Sequence, residues 1–201
     1  KAYVALPGPA AVKVVSNAKT FPDVAADAWY TGAVAFVTSH ELFQGITGER
    51  FAPEAPMTRG MLATVLYRLE DEPDYIRSVS FADVAENAWY ADGVLWAANQ
   101  GIVTGIGNDR FLPDAEITRE QLAAILYRYA GVLGLETGHD GKLTGYSDRS
   151  SISGWAREAM EWAVDAGLIT GTGSGRLEPK ATASRAQVAT LLQRLVEQLI
   201  R

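Results

Sequence analysis

Three stretches of the chain place apolar residues at i, i+3, i+4 and i+7: Leu62, Val65, Leu66 and Leu69; Leu122, Ile125, Leu126 and Tyr129; Val188, Leu191, Leu192 and Leu195. That spacing predicts an amphipathic helix at each place. Thr118-x-x-Gln121 and Ser184-x-x-Gln187 are capping boxes at two of the starts, while Thr58 keeps the cap but has Met61 at the box position. Upstream, a shorter helical pattern of about three turns begins near Trp29, Trp89 and Trp155. In the middle one, Trp89, Gly93, Trp96, Ala97 and Gln100 share a spacing and Gly101 falls where a helix ends. A glycine-rich loop joins the two helices, Gly101-Ile-Val-Thr-Gly105-Ile-Gly107 and Gly167-Leu-Ile-Thr-Gly171-Thr-Gly173. Its apolar pair, Ile102-Val103 or Leu168-Ile169, is predicted to form a bridge or two of a small sheet. The first loop departs, reading Glu41-Leu-Phe-Gln-Gly45.

The pattern is one unit written three times, over Phe21–Leu69, Phe81–Tyr129 and Tyr146–Leu195. Trp to Arg is 30 residues in every copy (Trp29–Arg59, Trp89–Arg119, Trp155–Arg185), and the third copy has one extra residue before its Trp. Each opens on an aromatic-x-Asp turn (Asp23, Asp83, Asp148) and closes its loop with Arg-Phe-x-Pro or Arg-Leu-x-Pro. Glu70–Ser80 and Ala130–Gly145 read as linkers, the second with its preceding helix running on until Gly134. Residues 1–20 form an extension outside the repeats, in which Ala11–Val15 is a candidate strand or the end of a neighbouring domain. About 50 residues is marginal for a domain alone. The expectation is therefore an all-α fold with minor β bridges, three copies pooling one core with approximate three-fold symmetry and a cleft between each pair of neighbours.

Composition narrows the functional classes. With 48% apolar residues and 21% charged ones the chain has the makeup of a folded protein. No apolar run is long enough to span a bilayer as a helix. A net charge of −6 disfavours nucleic acid, which needs a basic stripe. The absence of cysteine removes disulfides, thiolate zinc sites and cysteine catalysis. A start at Lys1 without a signal-like run suggests a mature or excised fragment. His40 and His139 occupy unmatched positions, and Gly107-Asn108-Asp109 lacks the oxygen spacing of a calcium loop, so neither metal nor cofactor is expected. No constellation of carboxylates or nucleophile and base stands apart from the repeat, so no catalytic residue is assigned.

The repeated chemistry is an arginine in the first turn of each second helix: Arg59, Arg119 and Arg185. A cation there opposes the helix dipole by a few tenths to ~1 kcal/mol, and three at one position call for a partner. One reading supplies an anion, held by the guanidinium fork and the free amides of the helix start, with Gly105 and Gly171 admitting a ligand close to the backbone. The other pairs each Arg with Asp23, Asp83 or Asp148 and reserves the glycines for positive φ. Both hold if the ion pair orients the Arg.

At F-x-D-V, A-W-Y, G-I-V-T-G, R-F-x-P and I-T-R-E the chain resembles the S-layer homology domain in its tandem triplet, over about residues 21–195. None of its Thr-Arg-Gly-Met61, Thr-Arg-Glu-Gln121 and Ser-Arg-Ala-Gln187 motifs is the family's usual T-R-A-E. The resemblance implies a monomeric, three-lobed pseudo-trimer about a central three-helix bundle, and non-covalent anchoring of a secreted protein at the bacterial cell surface. The ligand it implies is secondary cell-wall polysaccharide carrying pyruvylated N-acetylmannosamine, bound in inter-lobe grooves. Its contacts map onto Arg59, Arg119 and Arg185 and onto Gly45, Gly105 and Gly171, with Thr104 and Thr170 beside the glycines. Because copy one has Gln44 and Gly60, the Arg59 groove is expected to be the weakest. Trp29, Trp89 and Trp155 are assigned to the core in preference to stacking on a sugar; Trp96 and Trp162 are packing residues. A tether to modified peptidoglycan and a protein-binding scaffold with an exposed apolar face are the alternatives.

Overall fold

The computed structural model describes residues 19–46, 49–141 and 143–199. The candidate strand at Ala11–Val15 lies outside them. Six helices follow the repeat grammar: α1 (Thr31–Ser39) and α2 (Arg59–Leu69), α3 (Ala91–Asn99) and α4 (Arg119–Val132), α5 (Arg157–Asp165) and α6 (Arg185–Leu199). No named strand is present among the described residues; the β content is isolated bridges. Of the twelve apolar positions in α2, α4 and α6, eleven are buried, and Leu69 packs partly buried against the same cluster. One core runs through all three repeats, with Trp96 and Trp162 inside it.

The second helices start as their sequences require. Thr118 and Gln121 form the reciprocal capping box, as do Ser184 and Gln187, whereas Thr58 accepts only from the Met61 amide. The first helices end on a Schellman turn, with Gly101 and Gly167 at φ of 74° and 69°. The Gly101 amide donates to the Ala98 carbonyl and the Ile102 amide to that of Ala97. Copy one lacks the glycine and makes the same turn with Glu41 at φ 57°. The apolar pairs Ile102-Val103 and Leu168-Ile169 are core residues of this turn and carry no bridge, because their amides are consumed by the helix end. The bridges form further on, between Gly107 and Arg110 and between Thr172 and Arg176.

The close helix packings join neighbouring repeats: α2 with α3, α4 with α5, and α6 back onto α1. Each lobe therefore holds the second helix of one repeat and the first helix of the next. These pairings are the main close helix contacts, and the apolar faces of α2, α4 and α6 meet in the one core that the three repeats share. Between the lobes runs a closed ring of backbone hydrogen bonds. The Met57 amide donates to the Ala183 carbonyl, the Ala183 amide to Ile117, and the Ile117 amide to Met57, each at 2.9 Å. All three residues are fully buried. Ring closure establishes the pseudo-three-fold axis.

Repeat three carries its extra residue between Asp148 and Trp155, a stretch with a 3-10 turn at Arg149–Ser151 that leads into a second one, Gly154–Ala156. The buried Glu120 holds this turn by accepting from the Ser153 amide and hydroxyl, both at 3.0 Å, and it pairs with Lys180 at 2.5 Å.

Candidate ligand-binding grooves

The three motif arginines reach into the following repeat. Arg59 Nε donates to the Phe111 carbonyl (2.8 Å) and Nη2 to that of Thr104 (2.8 Å). Arg185 repeats this with Phe51 (2.9 Å) and Gln44 (2.8 Å), and Arg119 Nε donates to Leu177 at 2.7 Å. The acceptors at Thr104 and Gln44 are backbone oxygens, so the side chain there does not set the contact. Arg59 stacks 4.4 Å from the Phe111 ring centre and Arg185 4.8 Å from that of Phe51. Leu177 replaces the aromatic beneath Arg119.

None of the three forms an ion pair with a described residue. The aromatic-x-Asp carboxylates are engaged elsewhere, each accepting from two consecutive amides of its own Arg-Phe-x-Pro segment. Asp83 holds Phe111 and Leu112 at 2.8 and 2.9 Å, Asp23 holds Phe51 and Ala52, and Asp148 holds Leu177 and Glu178. Their ion pairs go to Arg50, Arg110 and Arg176 at 3.4–3.6 Å. Burial pushes these carboxyls up, but the amides and the adjacent arginine outweigh it and leave each below the ordinary aspartate value. For Arg59, Arg119 and Arg185 they supply only a longer-range attraction. Burial dominates there and draws all three guanidinium pKa values down, Arg185 to about 10. Arg119 and Arg185 are 8% and 5% exposed.

The free helix-start amides postulated for the anion do not exist. The Arg59, Arg119 and Arg185 amides donate to Ala115, Ala181 and Ala55, and the next amides to Pro113, Pro179 and Pro53. The third is taken by the cap side chain. What remains for a ligand is the guanidinium itself, which has five N–H donors and spends one or two of them on carbonyls. Gly105 and Gly171 are not at positive φ. A Cβ at Gly105 would stand 2.8 Å from the Phe81 ring, and one at Gly171 would stand 2.5 Å from that of Tyr146, so each glycine answers to its own turn aromatic.

Two clefts open over these arginines. One, of ≈ 360 Å³, is lined by Arg119, Thr170, Gly171, Gln187, Arg194 and Trp29 among others. The other, of ≈ 350 Å³, is lined by Arg185, Gln44, Gly45, Met61, Arg68 and Trp89 among others. Each is composite: loop and second helix from one repeat, arginine from the preceding one, tryptophan from the following one. The loop beside Arg59 is that of Thr104 and Gly105. Gln44 and Met61 therefore belong to the Arg185 groove, while Gly60 stays beside Arg59, against Pro113 and Tyr90 of the second repeat.

Two features of the grooves escape sequence reasoning. Trp29, Trp89 and Trp155 are 64%, 62% and 60% exposed, not core, because each precedes its helix and the next residue (Tyr30, Tyr90 or Ala156) takes the inward place. Arg68 and Arg194 form a second cationic position, donating to the Leu42 (3.4 Å) and Leu168 (2.9 Å) carbonyls. Arg128 is its counterpart, close enough to lower the Arg59 pKa. Their signal was legible: each sits nine residues after a motif arginine. Among the described residues no three His, Asp or Glu side chains converge as a metal site, and no helix is long and apolar enough to cross a membrane.

The S-layer homology domain family model matches residues 20–60, 80–123 and 145–189, well over half of the chain. The chain is 31% identical over 179 residues to an amylopullulanase of Thermoanaerobacterium thermosulfurigenes, covering 89% of the chain and 10% of that relative. It is 31% identical over 171 residues to the surface-layer 125 kDa protein of Lysinibacillus sphaericus, covering 82% and 14%. It is 29% identical over 160 residues to a cellulosome-anchoring protein of Acetivibrio thermocellus, covering 77% and 35%. It thus spans between a tenth and about a third of these relatives. Domains of this kind anchor surface proteins to the cell wall. The chain belongs to the S-layer homology domain family, with three such domains in tandem.

Proposed function

We propose that the chain is a non-covalent, extracellular anchor that holds a larger protein to the bacterial cell wall by binding an acidic polysaccharide in its grooves, without catalysis. The observation that carries this is the pair of buried guanidiniums, Arg119 and Arg185, that line the two clefts and form no ion pair with a described carboxylate, with the half-buried Arg59 as their third counterpart. A buried cation without a counter-charge is costly, and a ligand carboxylate relieves that cost through charge-assisted hydrogen bonds. A pyruvate ketal on N-acetylmannosamine offers one carboxylate on an otherwise neutral ring and fits this demand. The names of the surface-layer and cellulosome-anchoring relatives agree with the anchoring role.

The Arg119 groove is the strongest of the three in this reading, since Gln187, Thr170 and Arg194 give it polar partners. The Arg185 groove keeps Gln44 and Arg68 but has Met61 in the place of Gln187 and Ile46 in that of Thr172. Calorimetric titration with a pyruvylated N-acetylmannosaminide, beside the same sugar without its ketal, tests the proposal on the wild type and Arg119→Ala. Loss of one charge-assisted contact worth about 1.5–3 kcal/mol predicts a tenfold to hundredfold weaker Arg119 site. Equal binding of the two sugars, or an unchanged Arg119→Ala, overturns it. On a polymer the grooves together raise avidity by about 10²–10⁴.

A further inference from the structure

The three exposed tryptophans have no structural account in the core. Every other large aromatic of the repeats is buried or packed against the cluster, Trp96 and Trp162 at 4% and 3% exposure, while Trp29, Trp89 and Trp155 stand in solvent at the same repeat position. They are nonetheless oriented. Trp29 lies edge-on to Tyr30 with ring centres 5.2 Å apart, and Trp89 repeats this with Tyr90 at 5.2 Å. Tyr30 and Tyr90 are themselves packed against the core, so each indole is braced from below with its remaining surface free.

Their place is equally regular. Trp29 lines the Arg119 cleft and Trp89 lines the Arg185 cleft, each delivered by a different repeat from the one that supplies the cation. The pseudo-three-fold axis assigns Trp155 to Arg59. Beside Trp89 the loop lip presents Ile46, 51% exposed, and the matching residue at the Arg59 groove is Ile106, 56% exposed. A groove with a cation at its floor and an apolar rim asks for a ligand that is anionic at one point and apolar-faced beside it.

We infer that Trp29, Trp89 and Trp155 are stacking platforms that extend each groove beyond the anionic sugar to the adjacent, neutral pyranose of the polymer. The C–H face of a pyranose covers the exposed indole, while the arginine takes the charge. This rests on the carboxylate reading above. It adds a second subsite and makes the grooves selective for chain length as well as charge.

The test uses the full chain, the triple variant W29A/W89A/W155A and two probes. One is the pyruvylated monosaccharide; the other is a disaccharide in which a neutral N-acetylhexosamine is joined to it. Because the replaced side chains are exposed, the variant keeps its fold, and the buried Trp96 and Trp162 report that through unchanged blue-shifted emission. Wild type is expected to bind the disaccharide about tenfold more tightly than the monosaccharide, and the variant to bind both at the wild-type monosaccharide affinity. A variant that keeps the length advantage, or loses monosaccharide affinity as well, overturns the platform and leaves the carboxylate reading in place. If wild type ignores the pyruvylated monosaccharide, the carboxylate reading fails first. Indole quenching by a third probe, the same disaccharide without its ketal, then decides: quenching lost in the variant sustains the platform, and its absence in wild type ends it.

Discussion

Ala52, Leu112 and Glu178 hold φ of 55°, 58° and 51° immediately before a proline, a conformation that favours glycine. The Asp of the aromatic-x-Asp turn makes it possible by accepting from that residue's amide and the one before it. Asp83→Asn retains shape but loses the charge and one acceptor, at a cost of about 1–3 kcal/mol. The three carboxyls titrate lower in the folded protein than in the unfolded chain. Their stabilisation is therefore complete above the unfolded aspartate value of about 3.9 and is lost as pH falls through the folded values. Melting temperature should stay level from pH 7 to about 5 and drop below about 4, with a shallower acid limb in Asp83→Asn. Glu41 is strained in the opposite sense, being a side chain where the other copies use glycine. Glu41→Gly should raise stability by about 0.5–1 kcal/mol, the αL relief exceeding the unfolded-state entropy of glycine; thermal melting checks this.

Between elements, α3 approaches α2 closely. A Cβ at Gly93 would lie 2.7 Å from Thr64 Cα and 2.9 Å from its amide nitrogen, both backbone atoms. The equivalent positions, Ala33 and Ala159, carry the methyl that Gly93 omits, so α3 sits deeper than its counterparts can. Gly93→Ala is expected to lose about 1–3 kcal/mol through forced separation of the helices, despite alanine's better helix propensity. Denaturant titration showing no loss, or a gain of about 1 kcal/mol from propensity alone, would mean the helices slide apart without cost. The helices were readable from apolar spacing and caps, because both signals are local. Their partners were not: the periodicity of α2 names its buried face but does not say that α3, from the next repeat, covers it.

At the level of the molecule, the Met57–Ala183–Ile117 ring and the lobe pairings make each repeat depend on the other two. A chain cut after Leu135 loses α5 against α4, α6 against α1, and one member of the ring. It should show neither cooperative unfolding nor sugar binding, whereas the full chain should unfold in one transition that near- and far-ultraviolet circular dichroism report identically. Retention of either groove in the cut chain would contradict the composite architecture.

The three-fold repetition, the six helices and the caps are legible along the chain, and Arg59, Arg119 and Arg185 stand out by recurring at one position. The sequence even held the unnoticed second cation, nine residues further on, at Arg68, Arg128 and Arg194. It takes the folded chain to show which loop each arginine meets, that the helix-start amides are already spent on the neighbouring repeat, and that Trp29, Trp89 and Trp155 face outward. The reason is physical. Periodicity and capping are properties of a segment and its own backbone, while a groove built from three repeats exists only once the chain has closed its ring, and nothing local distinguishes an indole bound for the core from one left at its rim.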